Sequence, residues 1–533
     1  MAYKYEFFME MSDGVELYTV VQLPEKGKKC PVIITRTPYA QKKSMLAEMV
    51  GDDGPYGKIY QHCRGTGMSQ GLCQPYLNER KDGLELLEWI RKQDFYNGEL
   101  FLYGGSYLAS VHFSYLGTDQ KDIKGAYLVV QDCNRYNILY RNGFFKTGLH
   151  GGWVVGMYKR NEENVRRDYV PETLRTRPLS GITEHIFGHR VDFMEEEFLH
   201  PDPADPFWST PAGGSEFLDC CNKCSCPILL ATAFYDIYTE GVFDMWDSLT
   251  EERKKQCFLA VTPFDHNFNP APRTAESPLP DFENGRLSEV CPDLSTQFFD
   301  YCRGGNAPDF VTPGNITYYR LFDKKWITAP ALVNAAEEKY FYLTEDRSLQ
   351  ENAPQNGRGI TYTYNPDAPA PFEGGVCNNF GGMQIQHKPN SRYDILSFVS
   401  APLEEDLICE GKIEVELEVA STAPDTCFYV RLDLVRDEKA LSLRDDIDSL
   451  CRVEKEYTPG EKRILHFTFG PHAFRLFKGD CLRLDVSSSC VPYDQVHSNR
   501  KGLQALQTGA DICRNTVHMG KSFFKLYCRK PED

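Results

Sequence analysis

No stretch of this 533-residue chain approaches the roughly 18 consecutive apolar residues that a membrane-spanning helix requires. The opening MAYKYEFFMEMSDG also lacks the apolar core of a secretory signal. A cytoplasmic protein with no membrane partner is expected. There is no Lys/Arg-rich run to track a phosphate backbone, and the formal net charge is −17, so no nucleic-acid partner is expected either. Without an export signal, the 19 cysteines, an odd number scattered along the chain, read as reduced thiols rather than a disulfide framework. Internal repeats and low-complexity tracts are absent. What is present, 41% hydrophobic, 25% charged and 13% aromatic residues, belongs to a soluble globular protein with large cores and excludes disorder. At one domain per about 150 residues, two to four domains are expected.

The first 130 residues alternate strand-like and helix-like segments: PVIITR (31–36), GLELLEWIRKQ (83–93) and LFLYG (100–104). That order predicts a mostly parallel, doubly wound sheet. In the helical segment Leu84, Leu87, Trp89 and Ile90 form the expected apolar stripe. From 137 to 215 charged segments with aromatic interruptions, closing on the Pro-dense HPDPADPFWSTP (200–211), predict a helical insertion. The sheet pattern resumes with CPILLATAFYD (226–236), an amphipathic stretch at 240–256 and CFLAVTPFDH (257–266). Beyond 310, KIEVELEVAS (412–421), CFYVRLDLVR (427–436), RILHFTFG (463–470) and CLRLDVSSS (481–489) alternate polar and apolar between turn residues, predicting an all-β sandwich. The expected division is 1–136 with 216–310, an insertion at 137–215, and a β domain at 311–533.

The strongest local signal is FLYGGSYLAS (101–110). An apolar strand runs into Gly104-Gly105-Ser106 and on into helix-capable residues, the form of a nucleophile elbow. Such a turn strains the nucleophile's backbone and needs small neighbours, and the helix that follows aims its amides at developing negative charge. The chain order of that fold is Ser, acid, His. Asp236 closes one apolar strand and His266 follows the next, where side chains emerge at the carboxyl edge of a sheet. Ser106, Asp236 and His266 are therefore the candidate nucleophile, acid and base. Asp265 abuts His266 but points elsewhere, and His112 and His200 are read as structural. The cluster Cys220, Cys221, Cys224 and Cys226 would need a second ligand pair to hold zinc. Cys257 with His266 supplies one only if their surroundings are ignored, so neither a metal nor a cofactor is expected.

Tyr107 after the serine, Tyr235-Asp236 and the Pro-aromatic-x-His at 263–266 occur together with Arg36-Thr37-Pro38-Tyr39, Arg64-Gly65-x-Gly67-x-Ser69-x-Gly71, Trp89-Ile90-x-x-Gln93, and His200-Pro201 with Trp208. In these residues the chain resembles the cocaine esterase and X-Pro dipeptidyl-peptidase group of serine hydrolases, the CocE/NonD family. Leu396-Ser397-Phe398-x-Ser400-x-Pro402-Leu403, Pro459-Gly460-Glu461 and Leu482-x-Leu484 resemble that family's jelly roll. The resemblance covers nearly the whole chain. It departs at Ala109, Ala233-Phe234, Thr262-x-Phe264 and His62, where the family has Gly, Gly-Trp, Gly-x-Trp and Asp.

The resemblance implies an α/β-hydrolase fold with a helical cap insertion and a C-terminal all-β jelly roll. It implies oxyanion donors at the Tyr107 backbone N–H and the Tyr39 hydroxyl, and a substrate pocket including Trp153, Tyr238 and Tyr140. The family's α-amino ester hydrolases carry an acidic pair just after the acid; Ile237-Tyr238-Thr239 stand here instead. Bacterial X-Pro peptidases carry a long N-terminal domain, whereas this chain is read as beginning with the hydrolase sheet. The expected partner is a small-molecule ester or amide, with cleavage of acyl esters ahead of an amidase or peptidase, and a homo-oligomer left open. The competing readings are a non-catalytic binding scaffold and a metal-dependent hydrolase built on the cysteine cluster.

Overall fold

The structure is a computed structural model that describes residues 3–39, 54–158, 170–267, 282–355, 357–371, 373–376, 381–453 and 455–531. Strand β3 (Cys30–Thr37) is buried along all eight residues, the mark of a strand covered on both faces. Around it β1 (Tyr3–Glu10), β2 (Glu16–Leu23), β4 (Gly57–His62), β5 (Tyr96–Gly105) and β6 (Ile123–Val129) join strands Ile228–Tyr235, Cys257–Asp265, Ile316–Arg320 and Lys325–Ala329. The order is β1-β2-β4-β3-β5-β6 and then the last four in chain order. Pairing is parallel from β4 through Ile316–Arg320 and antiparallel at both edges.

The period-2 alternation of strands divides this sheet's core in two. Leu100, Leu102, Ala126 and Leu128 face one cluster; Phe101, Tyr127, Leu229 and Phe258 face another, under Phe298 and Phe299 of helix Leu294–Cys302. Helix α1 (Glu79–Arg91) starts four residues earlier than the sequence pattern suggests. Its buried stripe is Gly83, Leu86, Leu87 and Ile90, while Leu84 and Trp89 are half-buried, Trp89 against Phe7 of β1 at 4.9 Å. Gly83 lets α2 (Tyr107–Leu116) approach, because a Cβ there would stand 2.3 Å from the Tyr115 ring.

Two expectations are refined. The insertion at 137–215 is built of short helices broken by a hairpin: among the described residues a π-helical turn Thr147–Gly151 runs into Gly152–Met157, followed by Val170–Arg175, Ile182–Phe187 and Asp192–Glu197, beside a hairpin pairing Tyr140–Arg141 with Phe144–Phe145. Left-handed Gly181 and Gly188 bound the Ile182–Phe187 helix; residues 159–169 lie outside the described ones. The first two strands after 310 extend the first sheet rather than the β domain, because Ile316–Arg320 continues the parallel ladder through Leu259↔Ile316 and Val261↔Tyr318. The remaining strands, from Glu337–Leu343 to Cys513–Arg529, make one hydrogen-bonded, nearly closed sheet. No helix among the described residues is long and apolar enough to cross a membrane.

Three buried imidazoles stay neutral in the fold. Burial pulls His62 down to about 4; burial, reinforced by Arg36, pulls His112 to about 3; burial and Arg444 do the same to His472. The unfolded chain takes up these protons near the ordinary imidazole value of about 6.5. Between there and the depressed values it binds more protons than the fold does, so stability is full above that window and is lost as pH falls through it. The thermal midpoint is therefore expected to drop between pH 7 and pH 4.5. His112→Gln should flatten the dependence by up to one proton, about 1.4 kcal/mol per pH unit; an unchanged slope in scanning calorimetry would count against this account.

Candidate active site

Ser106 sits where β5 turns into α2, with φ 56° and ψ −132°, a conformation that costs an L-residue about 1–3 kcal/mol. Its N–H donates to Val129 O at 2.9 Å, and its carbonyl accepts from Ala109 and Ser110 N–H at 2.8 and 3.1 Å. Gly104 is demanded by the turn, since a Cβ there would lie 2.2 Å from Leu108 O. The strain aims the hydroxyl away from the sheet, and the Tyr107 amide, first in the helix, has no intrahelical acceptor.

Asp236, fully buried, follows strand Ile228–Tyr235. Thr232 Oγ1 donates to its Oδ2 at 2.8 Å and Tyr238 N–H to its Oδ1 at 3.3 Å. His266 follows strand Cys257–Asp265, whose register with its neighbour shifts between Thr262 and Asp265. Its Nδ1 stands 2.7 Å from Asp236 Oδ1 and its Nε2 2.9 Å from Ser106 Oγ. Asp265 instead accepts the Asn267 amide at 2.9 Å. A carboxylate on Nδ1 fixes the tautomer that leaves Nε2 able to take the serine proton.

A buried ionic chain lies beneath these groups. Arg36, with no exposed side-chain surface, donates Nη1 to Glu79 Oε2 at 2.9 Å and stands 3.6 Å from Asp82, which Arg64 grips at 2.6 Å. Glu79 Oε1 accepts the Tyr107 hydroxyl at 2.8 Å, and that hydroxyl accepts Tyr76 N–H at 2.8 Å. Burial raises the Glu79 carboxyl while Arg36 opposes the rise; burial, then Glu79, lifts the Tyr107 phenol far above its usual value. Tyr39, three residues past Arg36, accepts the Trp153 indole N–H on its hydroxyl at 3.1 Å.

Ser106, His266, Tyr39, Tyr107, Trp153 and Tyr238 line one cavity of about 260 Å³. Tyr140 does not. It is buried in the insertion, stacked on Tyr136 at 5.5 Å with its hydroxyl on Glu197 O, and it borders a separate polar cavity; its place in the hairpin turns it away from the serine. Tyr76, Gln131, Ile138, Leu149 and His150 also line the site and were missed from sequence. Gln131 was findable, because it follows a parallel strand at the carboxyl edge; the others had no local signal.

The remaining candidates fall elsewhere. His112 is buried between Tyr115 and Tyr103 O, and His200 stacks on Phe207 at 4.1 Å. Cys220 and Cys221 lie in the turn Cys220–Lys223, and Cys224 faces Arg253 Nη2 at 3.4 Å. Cys257 and His266 sit at opposite ends of their strand, too far apart to complete one ligand set. The described cysteines are free thiols.

A hydrolase sheet carrying a strained serine, an imidazole and a buried carboxylate in one hydrogen-bonded chain defines a serine hydrolase. Residues 13–267 match the X-Pro dipeptidyl-peptidase (S15 family) profile and residues 309–523 the X-Pro dipeptidyl-peptidase C-terminal non-catalytic domain. The chain belongs to this family, the CocE/NonD group its motifs resemble. It is 22% identical to the cocaine esterase of Rhodococcus sp. (strain MB1 Bresler) over 557 aligned positions, covering 96% of this chain and 95% of that one. Two solved structures share the fold: an aminopeptidase from a marine sediment Thaumarchaeota archaeon (TM-score 0.80, 17% identity, 99% of this chain and 96% of that one) and an α-amino acid ester hydrolase (TM-score 0.78, 18% identity, 99% and 97%).

Glu79→Gln keeps the shape of the chain and removes the charge that Arg36 faces. Breaking a buried pair in this way is expected to cost about 3 kcal/mol, read by urea unfolding, and to lower hydrolase turnover through Tyr107. A variant as stable as wild type would show that Asp82 alone satisfies Arg36.

Proposed function

We propose that this hydrolase cleaves acyl esters through a Ser106–His266–Asp236 triad and an acyl-enzyme. The observation that carries the reading is His266 bridging Ser106 Oγ at 2.9 Å and Asp236 Oδ1 at 2.7 Å. Ser106 Oγ attacks the carbonyl carbon as His266 Nε2 takes its proton, and Asp236 steadies the imidazolium. The tetrahedral oxyanion is met by the Tyr107 N–H and the Tyr39 hydroxyl. His266 returns the proton to the departing alkoxide; water activated by the same imidazole then releases the acid.

The chemistry of the cavity favours esters over N-terminal peptides. No Asp or Glu is among its lining residues in the described chain, so none of these side chains offers a carboxylate to a substrate ammonium. The S15 family match favours the second reading, an amidase or X-Pro peptidase, which uses the same triad.

Fluorophosphonate labelling is expected to add one adduct to wild type and none to Ser106→Ala. No labelling of folded wild type would remove the triad and leave a binding scaffold. On an ester substrate, Asp236→Asn is expected to lower kcat by about 10⁴-fold through the wrong tautomer, and Tyr39→Phe by about 10²- to 10³-fold. Turnover of Xaa-Pro amides faster than matched esters would favour the peptidase reading.

A further inference from the structure

The cavity in front of Ser106 is walled chiefly by rings and aliphatic side chains, and Gln131 and His150, with Asn267, are polar side chains outside the triad that interrupt that wall. Gln131, 2% exposed, accepts the Asp132 N–H on its side-chain carbonyl at 3.2 Å. That contact identifies the oxygen and leaves Nε2 as the free end of the amide. Nε2 is buried and makes no hydrogen bond of good geometry among the described residues; the Tyr76 phenol oxygen beside it accepts only a weak contact from it. A buried donor held by so weak a contact is under-satisfied, and a well-placed acceptor on a bound substrate would satisfy it.

His150, 3% exposed, borders the same cavity. Its Nε2 lies 3.3 Å from Glu197 Oε2. Against burial, which would raise it, Arg135 holds the Glu197 carboxyl below its ordinary range, so Nε2 carries the proton and donates. Burial lowers the His150 pKa and keeps the ring neutral. Its Nδ1 is then an acceptor, with no partner among the described residues.

We infer that the Gln131 amide and His150 Nδ1 form a donor and acceptor pair that reads an uncharged carboxamide or N-acyl group in the substrate. This rests on the ester-hydrolase reading above. The substrate's carbonyl accepts from Gln131 Nε2 and its N–H donates to His150 Nδ1. The Glu197 and Arg135 charges behind His150 neutralise each other, so the pair favours a neutral group over an ammonium or a carboxylate. Gln131 and His150 are specificity determinants and take no part in bond making.

Two matched ester pairs, followed by pH-stat, place the amide on either side of the scissile bond: methyl N-acetylglycinate against methyl pentanoate, and 2-acetamidoethyl acetate against pentyl acetate. Each kcat/KM is divided by the ester's hydroxide rate constant. Wild type is expected to prefer the amide member of at least one pair, and Gln131→Leu to lower that preference by about 10-fold or more, with His150→Phe acting in the same direction. Should Gln131→Leu fail to fold, Gln131→Asn withdraws the amide by one methylene and is expected to give the same loss. A wild type without preference in either pair, or variants that keep the preference, overturns the inference while leaving ester hydrolysis standing. No turnover of any of the four esters, or full turnover by Ser106→Ala, overturns the hydrolase reading and this inference with it.

Discussion

Arg36 is a full positive charge with no exposed side-chain surface, and the site depends on how that charge is satisfied. A guanidinium removed from water must be matched by carboxylates in close geometry. Glu79 and Asp82, at the start of α1, supply them. Glu79 spends its other oxygen on the Tyr107 hydroxyl. One buried cation thereby couples the end of β3, which leads to Tyr39, to the first residue of α2, which follows Ser106. The separation between the two proposed oxyanion donors is set by this chain and not by either loop on its own.

A second constraint comes from the C-terminal sheet. Arg444 reaches across to donate to Phe234 O and lies over the Phe234 and Tyr235 rings, while the Tyr235 hydroxyl donates to Ser442 O at 3.1 Å. These contacts brace the strand end that presents Asp236. The insertion is fastened to the same sheet, since Arg141 of its hairpin pairs with Asp445 and Asp494. The cavity itself is lined by the hydrolase sheet's loops and the insertion, and the β domain acts from behind as a buttress for the acid as well as a fold of its own.

Much of this was legible along the chain. The strands at 31–36, 100–104, 226–236 and 427–436 were readable because burial on one or both faces leaves a period of two or an unbroken apolar run. Ser106, Asp236 and His266 were readable because an elbow and two strand ends are local features in a fixed order. Tyr140 was misplaced because membership of a pocket depends on which way a short hairpin turns. Glu79, Tyr76 and His150 were not legible: a glutamate opening a helix looks solvated until an arginine 43 residues away is folded onto it.

By itself the sequence determined the two-sheet architecture, the nucleophile turn and the identity of the three triad candidates, since each follows from short-range periodicity, backbone strain and chain order. Tertiary structure alone decided the pairing of Arg36 with Glu79, the bracing of Asp236 by Arg444, and the placing of the under-satisfied Gln131 amide and His150 on one cavity. Those depend on which groups meet after burial, where desolvation makes every unmatched donor or charge expensive and so selects partners that no local pattern announces.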